Sequence, residues 1–397
     1  MSEHIDTDTK IALLASLINN SDISPEILLE FLLNADGDVE KAYDDARATL
    51  SETEDIVALP RSRKRHLQVA VTDYIQQPKR KQLPADKPIQ ELHADSDNLV
   101  TKRSPQSTRV VHLYTAETIA EHTPCTFYSN FLSEELANNL LTELLNDSIE
   151  WRQNHFRLFD RQVTSAHHSA FYVHPESYEK FQGTYYYNGA PIEDIKKFGG
   201  SMITAKKLVE STVNSDIISR GYKRYQCKEK WKADCAVCNR YTGPNESVGW
   251  HSDRLTYIGP MPVIASLSLG VTREFRVRET GIHSTTYSIH LPHNSLLVMH
   301  PPCQEKYKHT IIPLRSVDVH EVAGTARINI TYRMYRPEFS AKKIPLCSCE
   351  VPMILRCVSR QERSVGQYYW SCSAKYQKDK GCSDFHWASF SEDGIPT

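Results

Sequence analysis

Three short stretches near the start of the chain place apolar residues at helical spacing: Lys10 to Ile18, Pro25 to Leu33 and Asp38 to Thr49. Ser24 can cap a helix whose first turn begins with Pro25, and Ala35-Asp36-Gly37 breaks the chain before the third stretch. A three-helix α bundle over residues 8–50 is predicted. From 51 to 108 the sequence is polar, rich in Lys, Arg, Gln, Asp and Pro, and shows no sustained period. Such a segment buries too little apolar surface to offset the entropy of ordering it, which predicts a flexible basic linker. From 110 to 340, apolar runs of strand length and glycine turns alternate around a helix at Ser133 to Leu145, without a doubly wound pattern or a G-x-G-x-x-G signature. A mainly β domain is predicted there. In Arg327-Ile-Asn-Ile-Thr-Tyr-Arg333 the two-residue period of a strand puts Arg327, Asn329, Thr331 and Arg333 on one face.

With 397 residues, 40% of them hydrophobic and 24% charged, the chain has room for two or three soluble domains. It contains no run of about 18 apolar residues able to span a bilayer. Its N-terminus, MSEHIDTDTK, lacks the basic-then-apolar layout of a signal peptide. An intracellular protein with no membrane partner is expected, and its ten cysteines then read as thiols or metal ligands. The net charge of -2 conceals an asymmetry: residues 1–50 carry eleven acidic and three basic side chains, whereas 61–81 carry seven basic ones and Asp73 alone. The clusters Arg61-Ser-Arg-Lys-Arg65 and Lys79-Arg-Lys81 suit phosphate backbones or a nuclear import receptor, so a nuclear location is expected. A solvated linker without a partner is the alternative.

The candidate chemistry begins at His251-Ser252-Asp253. Residues i and i+2 of a strand share a face, so His251 and Asp253 can converge on one metal ion. With a second imidazole, from His309, they make the two-histidine, one-carboxylate set that occupies one face of a ferrous ion and leaves other positions open. His293 and His300 compete for the third position. His309 is preferred because it lies on the run leading to Arg327, whereas His300, beside Pro301 and Pro302, suits a turn. Arg327 and Arg333 suit a dicarboxylate, since a guanidinium pairs with a carboxylate in a way a lysine ammonium cannot.

Ordered segments extend this pattern: Asn239-Arg-Tyr241-Thr-Gly243, Trp250-His251-Ser-Asp253, Pro262 to Gly270, Arg273 to Arg278, Asn294 to Met299, Lys308 to Pro313 and Arg327 to Arg333. In this order they resemble the AlkB family of iron- and 2-oxoglutarate-dependent dioxygenases over about 120 to 340. The resemblance implies a double-stranded β-helix (jelly-roll) dioxygenase domain with flanking helices, over 110–340. It implies Fe(II) held by His251, Asp253 and His309, and 2-oxoglutarate held by Arg327 and Arg333 with Asn239, Tyr241 and Asn329. The implied activity is oxidative dealkylation of alkylated bases in DNA, a repair reaction that releases an aldehyde, succinate and carbon dioxide. A damaged base must leave the stack to reach such a metal, so single-stranded DNA or a flipped base is the expected partner. Arg161 and the tyrosines Tyr185 and Tyr187 resemble the family's lid over that base. Leu255 stands where relatives carry a base-facing acid, so the base preference is not carried over. RNA demethylation or another nucleobase oxidation is the second enzymatic reading. An inactive, ubiquitin-linked adaptor on nucleic acid is the reading of another class.

Three further resemblances concern the flanks. Cys347, Cys349, Cys372 and Cys382 supply the four thiolates of a closed zinc site, and with Gly366 to Trp370 and Phe385-His-Trp387 they resemble a GRF zinc finger over 344–389. This predicts a small β zinc module, with Zn(II) as a cofactor. Tyr368, Tyr369, Trp370 and Trp387 are expected to offer stacking surfaces to single-stranded nucleic acid. Glu30 to Tyr43 resembles the latter half of a CUE or UBA-like domain, which implies ubiquitin as a partner of 8–50, although the Met-Phe-Pro element of CUE domains is replaced by Leu17-Ile18-Asn19. Gln68 to Ile75 resembles a peptide that binds the sliding clamp, with Ile75 where an aromatic residue is usual.

Overall fold

The computed structural model describes residues 110–397 apart from 159–160, 183–184, 188–189, 193, 281–283, 360–363 and 377–380. Between 7 and 46 it describes 7–18, 28, 32, 35, 37–44 and 46. Residues 51–108, expected to form a linker, lie outside the described residues together with both basic clusters and the clamp-like peptide 68–75.

Near the N-terminus, the helix Thr7–Ile18 and helical residues 39–44 are described. Ile11, Leu14, Leu28, Leu32, Ala35, Ala42 and Ala46 form a small apolar cluster of their own, to which each of the three expected helical stretches contributes. No helix among the described residues is long and apolar enough to cross a membrane.

Two sheets, with strands numbered in chain order, build the central domain. The first runs β1 (Val110–Leu113), β12 (Thr286–Leu291), β11 (Arg273–Glu279), β14 (Tyr307–Ile311) and β9 (Val248–His251). The second runs β2 (Cys125–Tyr128), β13 (Ser295–Met299), β10 (Ile264–Gly270), β15 (Ala326–Arg333), β8 (Cys235–Thr242), β4 (Arg161–Val173) and β3 (Arg152–Leu158), with β7 (Ile195–Lys197) parallel to β4. A small ribbon pairs β5 (Tyr186–Tyr187) with β6 (Ala190–Pro191). The layout is consistent with a jelly roll.

The second sheet is covered on both faces, and strand parity decides which residues go where. Ala265, Leu267 and Leu269 of β10, Ile328, Ile330 and Tyr332 of β15, and Ala236 and Cys238 of β8 pack in one core with the helices Glu134–Asp147 and Gly200–Arg220. Residues of opposite parity look toward the first sheet, where Phe275, Val277, Ile289, Leu291 and Ile311 form a second core. A one-residue slip would exchange the two sets, so the two buried faces fix the register. The Glu134–Asp147 helix starts at Ser133, whose hydroxyl accepts from the Leu136 amide, a cap worth about 1 kcal/mol. The 21-residue helix Gly200–Arg220 was not among the elements expected from sequence. Its buried stripe of Met202, Ala205, Val209, Val213 and Ile217 has the three- and four-residue spacing that could have revealed it.

A third, three-stranded sheet of β16 (Ile354–Cys357), β17 (Tyr368–Ser371) and β18 (Phe385–Ala388) packs against the central domain. Met353, Leu355, Tyr368 and Trp370 share a core with Leu255, Tyr257 and Ile258. Tyr368 and Trp370 are therefore not stacking surfaces, which corrects the expectation for these two residues. Alternation along β17 turns Tyr369 outward instead, beside Trp387 across the sheet and Phe385, whose ring is stacked 5.0 Å from that of Tyr369.

Candidate active site

His251 ends β9 and pairs directly with His309 of β14, and the ladder bulges between His309 and Ile311. Directly opposed residues of an antiparallel pair share a face, so the rings meet, with centroids 4.3 Å apart. Asp253 follows in the loop after β9, its amide donating to Gln304 Oε1 (2.7 Å), while Ser252 Oγ donates to the Tyr307 carbonyl (2.7 Å). The ligand atoms of His251, Asp253 and His309 all lie within 4.8 Å of one another.

The protonation of this cluster suits a cation. His251 Nδ1 donates to the Gly249 carbonyl (2.8 Å), which turns Nε2 toward Asp253, 3.9 Å from Oδ1. Burial, with a further push from His251, lowers His309 to about 3 and keeps the imidazole neutral, and its buried Nδ1 has no hydrogen-bond partner among the described residues. Burial alone would raise the Asp253 carboxyl, but Arg333, His309 and His251 together hold it below its ordinary value. Two imidazoles and a carboxylate fit a divalent ion with oxygen and nitrogen preference. Neither rival joins them. His300 is held by Thr126 Oγ1 (2.9 Å) and Asp216 (3.5 Å), and His293 Nδ1 accepts from the Gly270 amide (3.1 Å).

The inward face of β15 continues the site. Cross-strand register sets Arg327 opposite Tyr241, and Asn329 opposite both Asn239 and Ser268, so these side chains share one face. Arg327 is 1% exposed, and its Nη2 donates to Ser268 Oγ (2.8 Å) and Asn329 Oδ1 (3.0 Å). Asn329 Oδ1 also accepts from Ser266 Oγ, and its amide nitrogen donates to Thr331 Oγ1, both at 2.7 Å. Burial lowers Arg327 to about 10, which leaves it charged at neutral pH. Its Nε and Nη1 are buried without hydrogen-bond partners among the described residues. A buried, unsatisfied donor costs about 1–3 kcal/mol, more for a charged group, so this pair is a cradle suited to a carboxylate. Arg333 is differently engaged: Nε (2.8 Å) and Nη2 (2.5 Å) both donate to Asp253 Oδ2.

Two residues of the site were given no role from sequence, although Arg273 opens the ordered segment Arg273 to Arg278. His167 of β4 stacks on Tyr241 with centroids 5.0 Å apart, and burial, opposed by its contact with the Ser247 carbonyl, lowers it to about 4. Arg273 of β11, fully buried, donates to the carbonyls of Glu246 (2.6 Å) and Ile312 (2.9 Å) and lies 5.7 Å from the Tyr241 ring. The pair encloses Tyr241 between the sheets. Among the residues expected at a lid, Tyr185 is only 2% exposed and precedes β5 instead of sharing a strand face with Tyr187. Its ring packs 4.5 Å from Phe181 and 4.8 Å from Tyr257, so it is a core aromatic and not a stacking surface, which corrects that expectation. The side chains of Arg161 and Tyr187 lie outside the described residues.

A second cluster lies in the C-terminal module. The sulfurs of Cys347, Cys349, Cys372 and Cys382 fall within 4.8 Å of one another, with Cys347 and Cys372 at 3.5 Å. Asp384 joins the two ends of this cluster by accepting from the amide (2.5 Å) and hydroxyl (2.7 Å) of Ser348. Cys235 and Cys238 are buried thiols outside it.

The profile of the family described as the 2OG-Fe(II) oxygenase superfamily matches residues 124–333, more than half of the chain. The chain belongs to that superfamily. The matched segment of this oxygenase contains the histidine and carboxylate cluster together with Arg327 and Arg333. The Mus musculus alpha-ketoglutarate-dependent dioxygenase alkB homolog 3 is 34% identical over 110 residues, 26% of this chain and 36% of its own length. The Arabidopsis thaliana DNA oxidative demethylase ALKBH2 is 31% identical over 120 residues, 25% of this chain and 36% of its own. The oxygenase thus spans about a third of the length of the curated relatives it matches. The solved structure of OsALKBH1 covers 53% of this chain and 98% of its own, at 13% identity and a TM-score of 0.37. The sequence-based expectation of an Fe(II)- and 2-oxoglutarate-dependent oxygenase agrees with the family.

Proposed function

We propose that the chain is a dioxygenase that oxidatively dealkylates nucleobases, with DNA as its substrate class. The observation that carries this reading is the cluster of His251, Asp253 and His309 beside a buried arginine with two unpartnered donors. His251, Asp253 and His309 would hold Fe(II), which supplies the oxidation of an alkyl carbon by dioxygen when bound. Arg327 would take one carboxylate of 2-oxoglutarate on its open Nε and Nη1 donors, held rigid by Ser268 and Asn329. Asn239 and Tyr241 share that face and would orient the rest of the co-substrate without competing for the metal. Arg333 would hold Asp253 ionised and aimed at the ion. DNA as the substrate is supported by the printed name of one matched relative, a DNA oxidative demethylase.

The C-terminal module would hold Zn(II) through Cys347, Cys349, Cys372 and Cys382. Four thiolates close the coordination sphere of zinc and leave no position for catalysis, so this ion would be structural. The outward aromatics Tyr369, Phe385 and Trp387 would stack on unpaired bases.

The test is mass spectrometry of alkylated single-stranded oligonucleotides, DNA and RNA side by side, after incubation with Fe(II) and 2-oxoglutarate. Loss of an alkyl group from DNA, with matching aldehyde and succinate, is the expected result. Turnover confined to RNA would replace the substrate class, and turnover that persists in His251→Ala would contradict the site.

A further inference from the structure

The C-terminal module does more than sit beside the oxygenase: its contacts converge on the loop that carries Asp253. Arg254, the next residue, lies with its guanidinium 4.6 Å from the centre of the Tyr376 ring. Tyr376 closes the short turn Ala374–Tyr376 that follows Cys372, and its hydroxyl accepts from Arg356 Nη2 of β16 (2.6 Å). Two positions further along the loop, Thr256 Oγ1 accepts from the Leu355 amide (3.2 Å), and Leu255 and Tyr257 share a core with Leu355, Tyr368 and Trp370.

The opposite side of the same loop is tied to the module as well. Gln304, which accepts from the Asp253 amide, stands in the helical turn Cys303–Lys306 with Glu305. Glu305 Oε1 accepts from the Met261 amide (2.7 Å) at the end of the loop and from Tyr368 Oη (3.3 Å) in β17. Tyr307, whose carbonyl holds Ser252, opens the strand that presents His309. The loop that carries Asp253 and the turn that leads into β14 are thus one or two contacts away from the C-terminal module.

We propose that Tyr376 is a positioning residue for the oxygenase metal. By stacking under Arg254 it transmits the fold of the four-cysteine unit to Asp253, so that an ion at the thiols strengthens metal binding at His251, Asp253 and His309. The inference rests on the reading of those three residues as the iron ligands and of the four thiols as a zinc site. Four sulfurs within 4.8 Å of one another fit a tetrahedral ion, and without one the Cys372 turn that carries Tyr376 loses its anchor. Contacts that orient a metal ligand from behind typically change affinity by about 10- to 100-fold when removed.

The experiment is an anaerobic Fe(II) titration of the full chain, followed by intrinsic fluorescence, with zinc content and circular dichroism measured on the same samples. The comparison is between the unaltered protein, Y376A, Y376F and C382S. Y376A should keep its zinc and its fold yet bind Fe(II) about tenfold more weakly, and Y376F, which retains the ring beneath Arg254, should bind close to wild type. C382S should lose zinc and weaken Fe(II) binding at least as much as Y376A. Wild-type Fe(II) affinity in Y376A or in zinc-free C382S would overturn this inference alone, as would a loss in Y376F equal to that in Y376A. Failure of the unaltered protein to bind Fe(II), or to contain zinc, would overturn the reading beneath it too.

Discussion

Arg333 places Nε and Nη2 on the same carboxylate oxygen of Asp253, at 2.8 and 2.5 Å, from a strand whose neighbouring inward residues face the co-substrate cradle. The guanidinium therefore ties the cluster of His251, Asp253 and His309 to the second sheet, and it leaves Oδ1 on the side of His251. The two side chains are largely shielded, 14% and 8% exposed, so removing one leaves a poorly compensated charge at a cost of up to about 3–5 kcal/mol. Arg333→Gln is expected to lower the melting temperature and weaken Fe(II) binding together, as read by thermal unfolding and anaerobic titration. A variant with reduced 2-oxoglutarate affinity but unchanged stability and Fe(II) affinity would show that Asp253 is not its main partner.

Arg327 has a different signature. Its Nε and Nη1 donors have no hydrogen-bond partner among the described residues, and a charge-assisted bond to a carboxylate there would be worth about 1.5–3 kcal/mol, roughly 10- to 100-fold in affinity. Arg327→Lys keeps the charge but loses the fork. The expected outcome is a KM for 2-oxoglutarate raised by about that factor with Fe(II) affinity retained, measured by succinate formation and metal titration.

Glu305 gives stability a pH dependence. Burial raises its carboxyl from 4.5 to about 7. The native state then holds this proton more tightly than the unfolded chain, so the stabilising contribution is complete below about 4.5 and is lost as pH rises through about 7. The shift corresponds to roughly 3 kcal/mol. Unfolding in urea should show the free energy of the parent falling, relative to Glu305→Gln, by an amount of that order between about pH 4.5 and 8. Parallel pH profiles for the two proteins would contradict the assignment.

The outward aromatics of β17 and β18 make a claim independent of the metal cluster. Phe385→Ala and Trp387→Ala should each weaken binding of a single-stranded oligonucleotide by about 1–3 kcal/mol while leaving the iron and 2-oxoglutarate absorption in place. Fluorescence anisotropy reads the first and absorption the second.

Much of this site is visible in the chain because it follows strand parity. Two-residue alternation alone places Arg327, Asn329, Thr331 and Arg333 together and sends Ile328, Ile330 and Tyr332 to the helices. The same rule misleads when the starting face is unknown. In Tyr368-Tyr369-Trp370 all three rings look available, and only docking against Leu255 and Tyr257 decides that Tyr369 is the outward one. Tyr185 fails for a related reason, since an aromatic pattern does not reveal that Phe181, Tyr257 and Tyr335 close around it. His167 carries no motif and Arg273 only opens the segment Arg273 to Arg278, and their roles exist only because β4 and β11 bring them against Tyr241. Nor could spacing show that Arg333 is committed to Asp253, a contact between residues 80 positions apart.

The most direct test of the central claim is the visible absorption of the purified protein mixed anaerobically with Fe(II) and 2-oxoglutarate. A metal-to-ligand charge-transfer band that requires both additions, and disappears in His251→Ala, is the predicted result. The absence of any band at saturating Fe(II) and 2-oxoglutarate would contradict the account.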